Sequence, residues 1–220
     1  MAYDLEEQEK LDELKAWWRE YGRLVILGVV VFMLAIGGFQ GWRYYRDSQA
    51  LEAGALYEQL AQAERTGDRK KVWEIADQIV SKYGSTPYAV FGALSAARAS
   101  FEVADVAKAK SHLSWVMQNA RQDQLRDIAR LRLGAVLLDE KNYAEALKLV
   151  ESPPVDGMTG LYADLRGDIL VAQGNAVQAR DAYQLALDKS EAASTYRATI
   201  QLKLDALGEA KPAAATPAAK

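Results

Sequence analysis

Gly167-Asp168-Ile169-Leu170-Val171-Ala172-Gln173-Gly174-Asn175, followed directly by Ala176-Val177-Gln178-Ala179-Arg180-Asp181-Ala182-Tyr183-Gln184-Leu185-Ala186-Leu187, decides how this chain folds. Apolar and small residues recur at intervals of three and four on both sides of Gly174-Asn175, the pattern of two amphipathic helices joined by a tight turn. The plan appears once more upstream, in Leu133-Gly134-Ala135-Val136-Leu137-Leu138-Asp139-Glu140-Lys141-Asn142-Tyr143-Ala144-Glu145-Ala146-Leu147, with its turn at Lys141-Asn142. Gly134 recurs as Gly167, Leu137 as Leu170 and Ala146 as Ala179, all at one constant offset, so the two segments are copies of one unit.

In the last unit Gly167, Gly174, Ala179, Tyr183 and Ala186 follow the tetratricopeptide pattern, in which small residues let successive helices approach closely. Upstream, Ala97 and Ala109 flank a turn at Ala104-Asp105. A still earlier helix through Leu51, Leu56, Tyr57 and Leu60 turns at Gly67-Asp68 and continues through Val72, Ile75 and Ile79 to a stop at Gly84-Ser85-Thr86-Pro87. The spacing predicts four helix pairs, at 48–84, 87–119, 124–151 and 159–190, the third cut short by Pro153-Pro154. A last helix over 192–207, with Tyr196, Ile200, Leu202 and Leu204, is expected to cap the stack. An Ala-rich bundle without repeats is the competing reading, and both are all-α.

Working outward from the repeats, Leu24-Val25-Ile26-Leu27-Gly28-Val29-Val30-Val31-Phe32-Met33-Leu34-Ala35-Ile36 lies at the heart of an uncharged run between Arg23 and Arg43. Helical, that run measures roughly 28 Å, close to the hydrocarbon thickness of a bilayer. Trp17, Trp18 and Tyr21 precede it and Trp42, Tyr44 and Tyr45 follow, as interfacial aromatics do. A cleaved signal peptide would open on a basic segment, whereas the stretch before Arg23 holds seven acids against three cations. The expected organisation is a cytoplasmic segment over 1–22, a transmembrane helix over 23–45, a helical-repeat domain over 46–207 and a disordered Ala/Pro tail over 208–220. Lys10, Lys15, Arg19 and Arg23 before the span, against Arg43 and Arg46 after it, favour a cytoplasmic N-terminus and an exported C-terminal domain. Cysteine is absent, which fits a bacterial envelope protein. Gly37 and Gly41 form a small-xxx-small pair through which another membrane helix could approach.

Residues 47–220 carry 21 Lys plus Arg against 23 Asp plus Glu, which leaves no electrostatic footprint for nucleic acid. Phosphate-binding glycine loops, serine-nucleophile elbows and metal-ligand spacings are missing from the sequence, and His112 stands alone. Asp164 and Asp168 share a helix face, but solvated carboxylates commonly do. No catalytic residue, cofactor or metal is therefore expected, and the chain reads as a binding protein. Its ligand face is expected on the first helix of each pair: Leu94, Arg98 and Phe101, then Leu131, Ala135 and Leu138, then Asp164, Asp168 and Val171. Apolar residues mixed with isolated charges suit an extended polypeptide.

Gly41-Trp42-Arg43-Tyr44-Tyr45 at the end of the span, the Tyr83-Gly84 stop, Tyr162-Ala163-Asp164-Leu165-Arg166-Gly167-Asp168, the Gly174 turn and Ala179-Arg180 together resemble the YfgM family, ancillary subunits of the bacterial SecYEG translocon. The resemblance covers nearly the whole chain, except the Ala/Pro tail. It implies an inner-membrane protein with a periplasmic tetratricopeptide-like domain, partnered by the translocon and a PpiD-type periplasmic chaperone, that passes exported polypeptides onward. It also implies a cytoplasmic role in restraining a response regulator of the Rcs pathway. A structural adaptor for envelope assembly or cell division is the alternative use of such repeats.

Overall fold

Four turns with one geometry organise the chain. Gly67, Ala104, Lys141 and Gly174 adopt left-handed backbone, with φ of 71°, 59°, 62° and 80°. The amide after each reaches back to a carbonyl in the last turn of the ending helix: Asp68 to Ala63, Asp105 to Ser100, Asn142 to Leu137 and Asn175 to Leu170, at 2.8–3.0 Å. This hydrogen bond satisfies a carbonyl that the ending helix would leave open. Asp68 and Asp105 then accept from the amides of Lys71 and Lys108, capping the next helix.

The computed structural model describes residues 2–151, 154–155, 157–191 and 194–208, with side chains from residue 11 onward. Among them are nine helices: α1 (Ala2–Thr66), α2 (Arg69–Tyr83), α3 (Pro87–Glu102), α4 (Val106–Asn119), α5 (Asp123–Asp139), α6 (Tyr143–Glu151), α7 (Thr159–Ala172), α8 (Ala176–Lys189) and α9 (Thr195–Ala206). The four expected pairs and the capping helix are present, the third pair ending in the short α6. Pro153, the expected start of the cap at Ala192 and, apart from Gly208, the Ala/Pro tail lie outside the described residues.

Two compact units divide the chain, Met1–Glu52 and Ala53–Lys220. In the first, α1 carries the apolar run with its side chains exposed, including Phe32, Met33 and Leu34. Its most apolar window has a mean hydropathy of 2.3, and among the described residues it is the one helix long and apolar enough to cross a membrane. The Arg46 guanidinium lies 5.1 Å from the centre of the Trp42 ring, a pairing suited to the membrane–water boundary. Gly37 and Gly41 face open space.

In the second unit the core runs through the stack in three clusters. The end of α1, α2 and α3 bury Leu60, Val72, Ile79 and Ala89 together. Helices α3 to α7 bury Val90, Leu113, Val116, Leu133 and Ile169. The last pair and α9 bury Leu170, Tyr183, Leu187 and Ile200. Closeness between helices depends on glycine at two points: a Cβ on Gly134 would stand 3.0 Å from Leu165, and one on Gly167 only 2.4 Å from the Tyr183 ring.

Polar contacts fix what the apolar clusters leave free. Asp127 of α5 is buried and accepts from the Val155 amide at 2.8 Å and from the Tyr162 hydroxyl at 3.3 Å, while pairing with Arg130 at 3.1 Å. It thereby ties the segment after α6 to two helices. Arg197 donates to the Leu187 carbonyl at the end of α8, and Arg180 to the Leu207 and Gly208 carbonyls at the end of α9. Each arginine closes the terminus of a helix other than its own.

Candidate polypeptide-binding face

Counting back from the left-handed residue of each turn gives every first helix a common register. Leu94, Leu131 and Asp164 stand at the tenth position before it, Arg98, Ala135 and Asp168 at the sixth, and Phe101, Leu138 and Val171 at the third. These are the nine positions nominated from the sequence, and the fold separates them by depth. Leu94 is buried in the core, Leu131 and Leu138 are half-buried against it, and Asp164 is buried. The tenth position back therefore faces a neighbouring helix. Arg98, Phe101, Ala135 and Val171 remain exposed.

Asp164 and Asp168 are occupied from within. Lys203 of α9 donates to both carboxylate oxygens of Asp164 at 2.9 Å and to Asp168 at 2.7 Å. Tyr196 donates to Asp164 at 2.5 Å and Tyr183 to Asp168 at 2.7 Å. Burial first, then these hydrogen bonds to carboxylates, push the Tyr196 and Tyr183 hydroxyls well above the ordinary phenol range. Burial alone would pull the Lys203 ammonium down, but its bonds to Asp168 and Asp164 outweigh that and raise it. The two carboxylates tie α9 to α7.

Three of the nominated residues come together. Arg98 and Phe101 on α3 and Ala135 on α5 line one groove of about 420 Å³, floored by Ala109 and Leu113 of α4. Phe101 is 47% exposed, high for an aromatic side chain. Arg132 and Asp139 complete the rim. Neither was legible as a site residue, although both fall on the face of α5 that holds Ala135, at helical spacing. Arg98 also borders a smaller groove beside Glu64, Arg69 and Glu102. There Glu102 accepts from Arg98 at 3.1 Å and pairs with Arg69 at 3.0 Å. The Arg98 hydrogen bond is the largest influence holding the Glu102 carboxyl below its usual range.

The first pair carries an aromatic ring at the same helix-facing register. Tyr57 of α1 stands at the tenth position back from Gly67, and its ring packs 5.7 Å from Tyr88 and 6.2 Å from Phe91. His112 is half-buried, 3.9 Å from Asp77, and burial lowers its pKa. Among the described residues no group of acids, histidines and cysteines could hold a metal ion.

Stacked helix pairs with equivalent turns and an apolar groove between first helices define a tetratricopeptide-type interaction domain. Residues 15–209 match the family described as tetratricopeptide repeat-like domain. The chain is 33% identical over 189 residues to the ancillary SecYEG translocon subunit of Haemophilus influenzae, covering 84% of this chain and 91% of that protein. It is 31% identical to the protein of that name from Neisseria gonorrhoeae, over 94% of this chain and 100% of the relative. The Escherichia coli protein is 25% identical, over 91% and 96%. The chain belongs to the YfgM family, whose members these are.

Proposed function

We propose that this protein is a membrane-anchored subunit of the SecYEG translocon that binds exported polypeptides through the face built by α3, α4 and α5. The single observation that carries the binding role is the groove between the first helices, where exposed Phe101 lies over an apolar floor rimmed by charge. Relatives bearing the translocon-subunit name over nearly their whole length support the site of action.

In this reading residues 1–22 are cytoplasmic, the apolar part of α1 crosses the inner membrane once, and the repeat domain works in the periplasm. The domain receives emerging chains and passes them to a PpiD-type chaperone, and the cytoplasmic segment restrains an Rcs response regulator. Gly37 and Gly41 are the contact through which the anchor meets another membrane helix. The protein acts by binding, not by catalysis.

Photo-crosslinking in living cells from Phe101 and Ala135 tests the reading. Crosslinks to exported polypeptides, together with co-purification of translocon subunits from solubilised membranes, are the expected result. Crosslinks confined to cytoplasmic proteins, or membranes in which other partners survive and the translocon does not co-purify, would refute it.

A further inference from the structure

The groove between α3 and α5 has an order of charges as well as an apolar floor. Arg132 and Asp139 both line it from α5, and among the described residues neither has a hydrogen-bond or ion-pair partner. They are two helical turns apart on one face, roughly 10 Å along the axis. Between them lie Ala135 and Val136, one a single methyl and the other buried, so nothing on α5 obstructs the space.

The opposite wall leaves that order unopposed. Arg98 and Arg69 share the carboxylate of Glu102, and Glu64 borders the same cluster, so its two cations are balanced by two acids. Near Asp139 the neighbouring charges are already neutralised, Lys110 meeting Glu140 at 2.7 Å. One end of the groove therefore presents the unpaired Arg132 guanidinium, open to an acid. The other presents a carboxylate seeking a base. Phe101 stands on the wall between helix and solvent, with room beside it for one bulky apolar side chain.

We infer that the groove selects an extended polypeptide segment in which an acidic, a bulky apolar and a basic residue follow in that spatial order. The acid meets Arg132, the apolar side chain meets Phe101 and Ala135, and the base meets Asp139. An extended chain rises about 3.3 Å per residue, so the acid and the base are about three residues apart. This inference rests on the proposal that the face binds polypeptides, and it adds which segments are bound.

Fluorescence anisotropy with the full chain in detergent micelles tests it. The probes are two labelled peptides with Gly-Ser flanks, one carrying Glu, Ala, Phe, Lys and the other with Glu and Lys exchanged. At low ionic strength one of the two chain directions should bind about tenfold more tightly than the other, and the preference should reverse in the double variant Arg132→Glu/Asp139→Lys. Both substituted side chains are exposed, and circular dichroism should show unchanged helicity. If the peptides bind equally to both proteins while Ala135→Trp blocks both, the charge order is refuted and polypeptide binding at this groove stands. If Ala135→Trp leaves binding intact, or neither peptide binds, the groove assignment falls with it, while crosslinking to the translocon would still judge the wider reading.

Discussion

Lys203→Met removes one ammonium from a cluster in which two carboxylates depend on it. At about 3 Å and an effective dielectric near 20, each of its ion contacts has a gross Coulomb attraction of roughly 5 kcal/mol, most of it offset by dehydration. Breaking such a buried pair typically costs about 3–5 kcal/mol, because the remaining charge stays buried. The Asp164 side chain is only 8% exposed, but that of Lys203 is 30% exposed and Tyr196 still donates to Asp164 in the variant. The expected loss therefore falls below that range, at about 2–3 kcal/mol. For a domain of this size that lowers the melting temperature by roughly 5–10 °C. Calorimetry on the full chain, with hydrogen exchange at the α9 amides, measures both the loss and its location. Asp164→Asn should recover part of the loss in the Lys203→Met background, since a neutral amide is easier to bury. A Lys203→Met protein that stays within about 0.5 kcal/mol of the parent, the range of an ordinary surface substitution, would refute the electrostatic latch. Losses that simply add in the double variant would refute it equally.

Alkaline pH should destabilise the domain around α7. Tyr162 is pushed up to about 12, chiefly by burial and then by Asp127, and Tyr183, Tyr196 and Lys203 are also raised. The folded state thus keeps protons that the unfolded chain releases near pH 10. This contribution is fully present below about pH 10 and declines as pH rises above it, so phenolate absorbance should appear together with loss of helicity. Gly167→Ala should destabilise by about 1–2 kcal/mol in denaturant titrations, because the methyl would meet a ring tethered to Asp168 and this outweighs the helix-propensity gain of about 1 kcal/mol. Ala104→Gly and Lys141→Gly should each stabilise by about 0.5–1 kcal/mol in the same titrations, by relieving left-handed backbone at a non-glycine residue.

The pairing of helices was legible because its signals are local: turn residues, small residues at crossings, and apolar periodicity. The partition of the first-helix face was not. Leu94 and Phe101 belong to the same helix and to the same nominated face, yet one packs into the core cluster of α3 to α7 and the other lines the groove, a difference set by neighbours far along the chain. In α9 the expectation held for Ile200, which is buried, and for Tyr196 and Leu204, which pack against the same core. Leu202, read as part of the apolar cap, is 70% exposed, while Lys203 turns inward to the carboxylates. Asp127 gave no signal at all, since its partners Val155 and Tyr162 lie on other segments, far along the chain. Arg132 and Asp139 could be found only once α3, α4 and α5 enclosed a common space.

The interval from Lys141 to Gly174 is shorter than those from Gly67 to Ala104 and from Ala104 to Lys141, yet positions counted back from each turn correspond in every repeat. The turn is thus the ruler of this molecule. The shortening falls mainly on the first helix of the last pair, α7 having 14 residues against 16 in α3 and 17 in α5. Length can therefore be lost at the end of a first helix remote from its turn without shifting the address of a single inner-face residue. Descendants of one repeat can drift in size and still present Phe101, Ala135 and their neighbours at the same place on the wall.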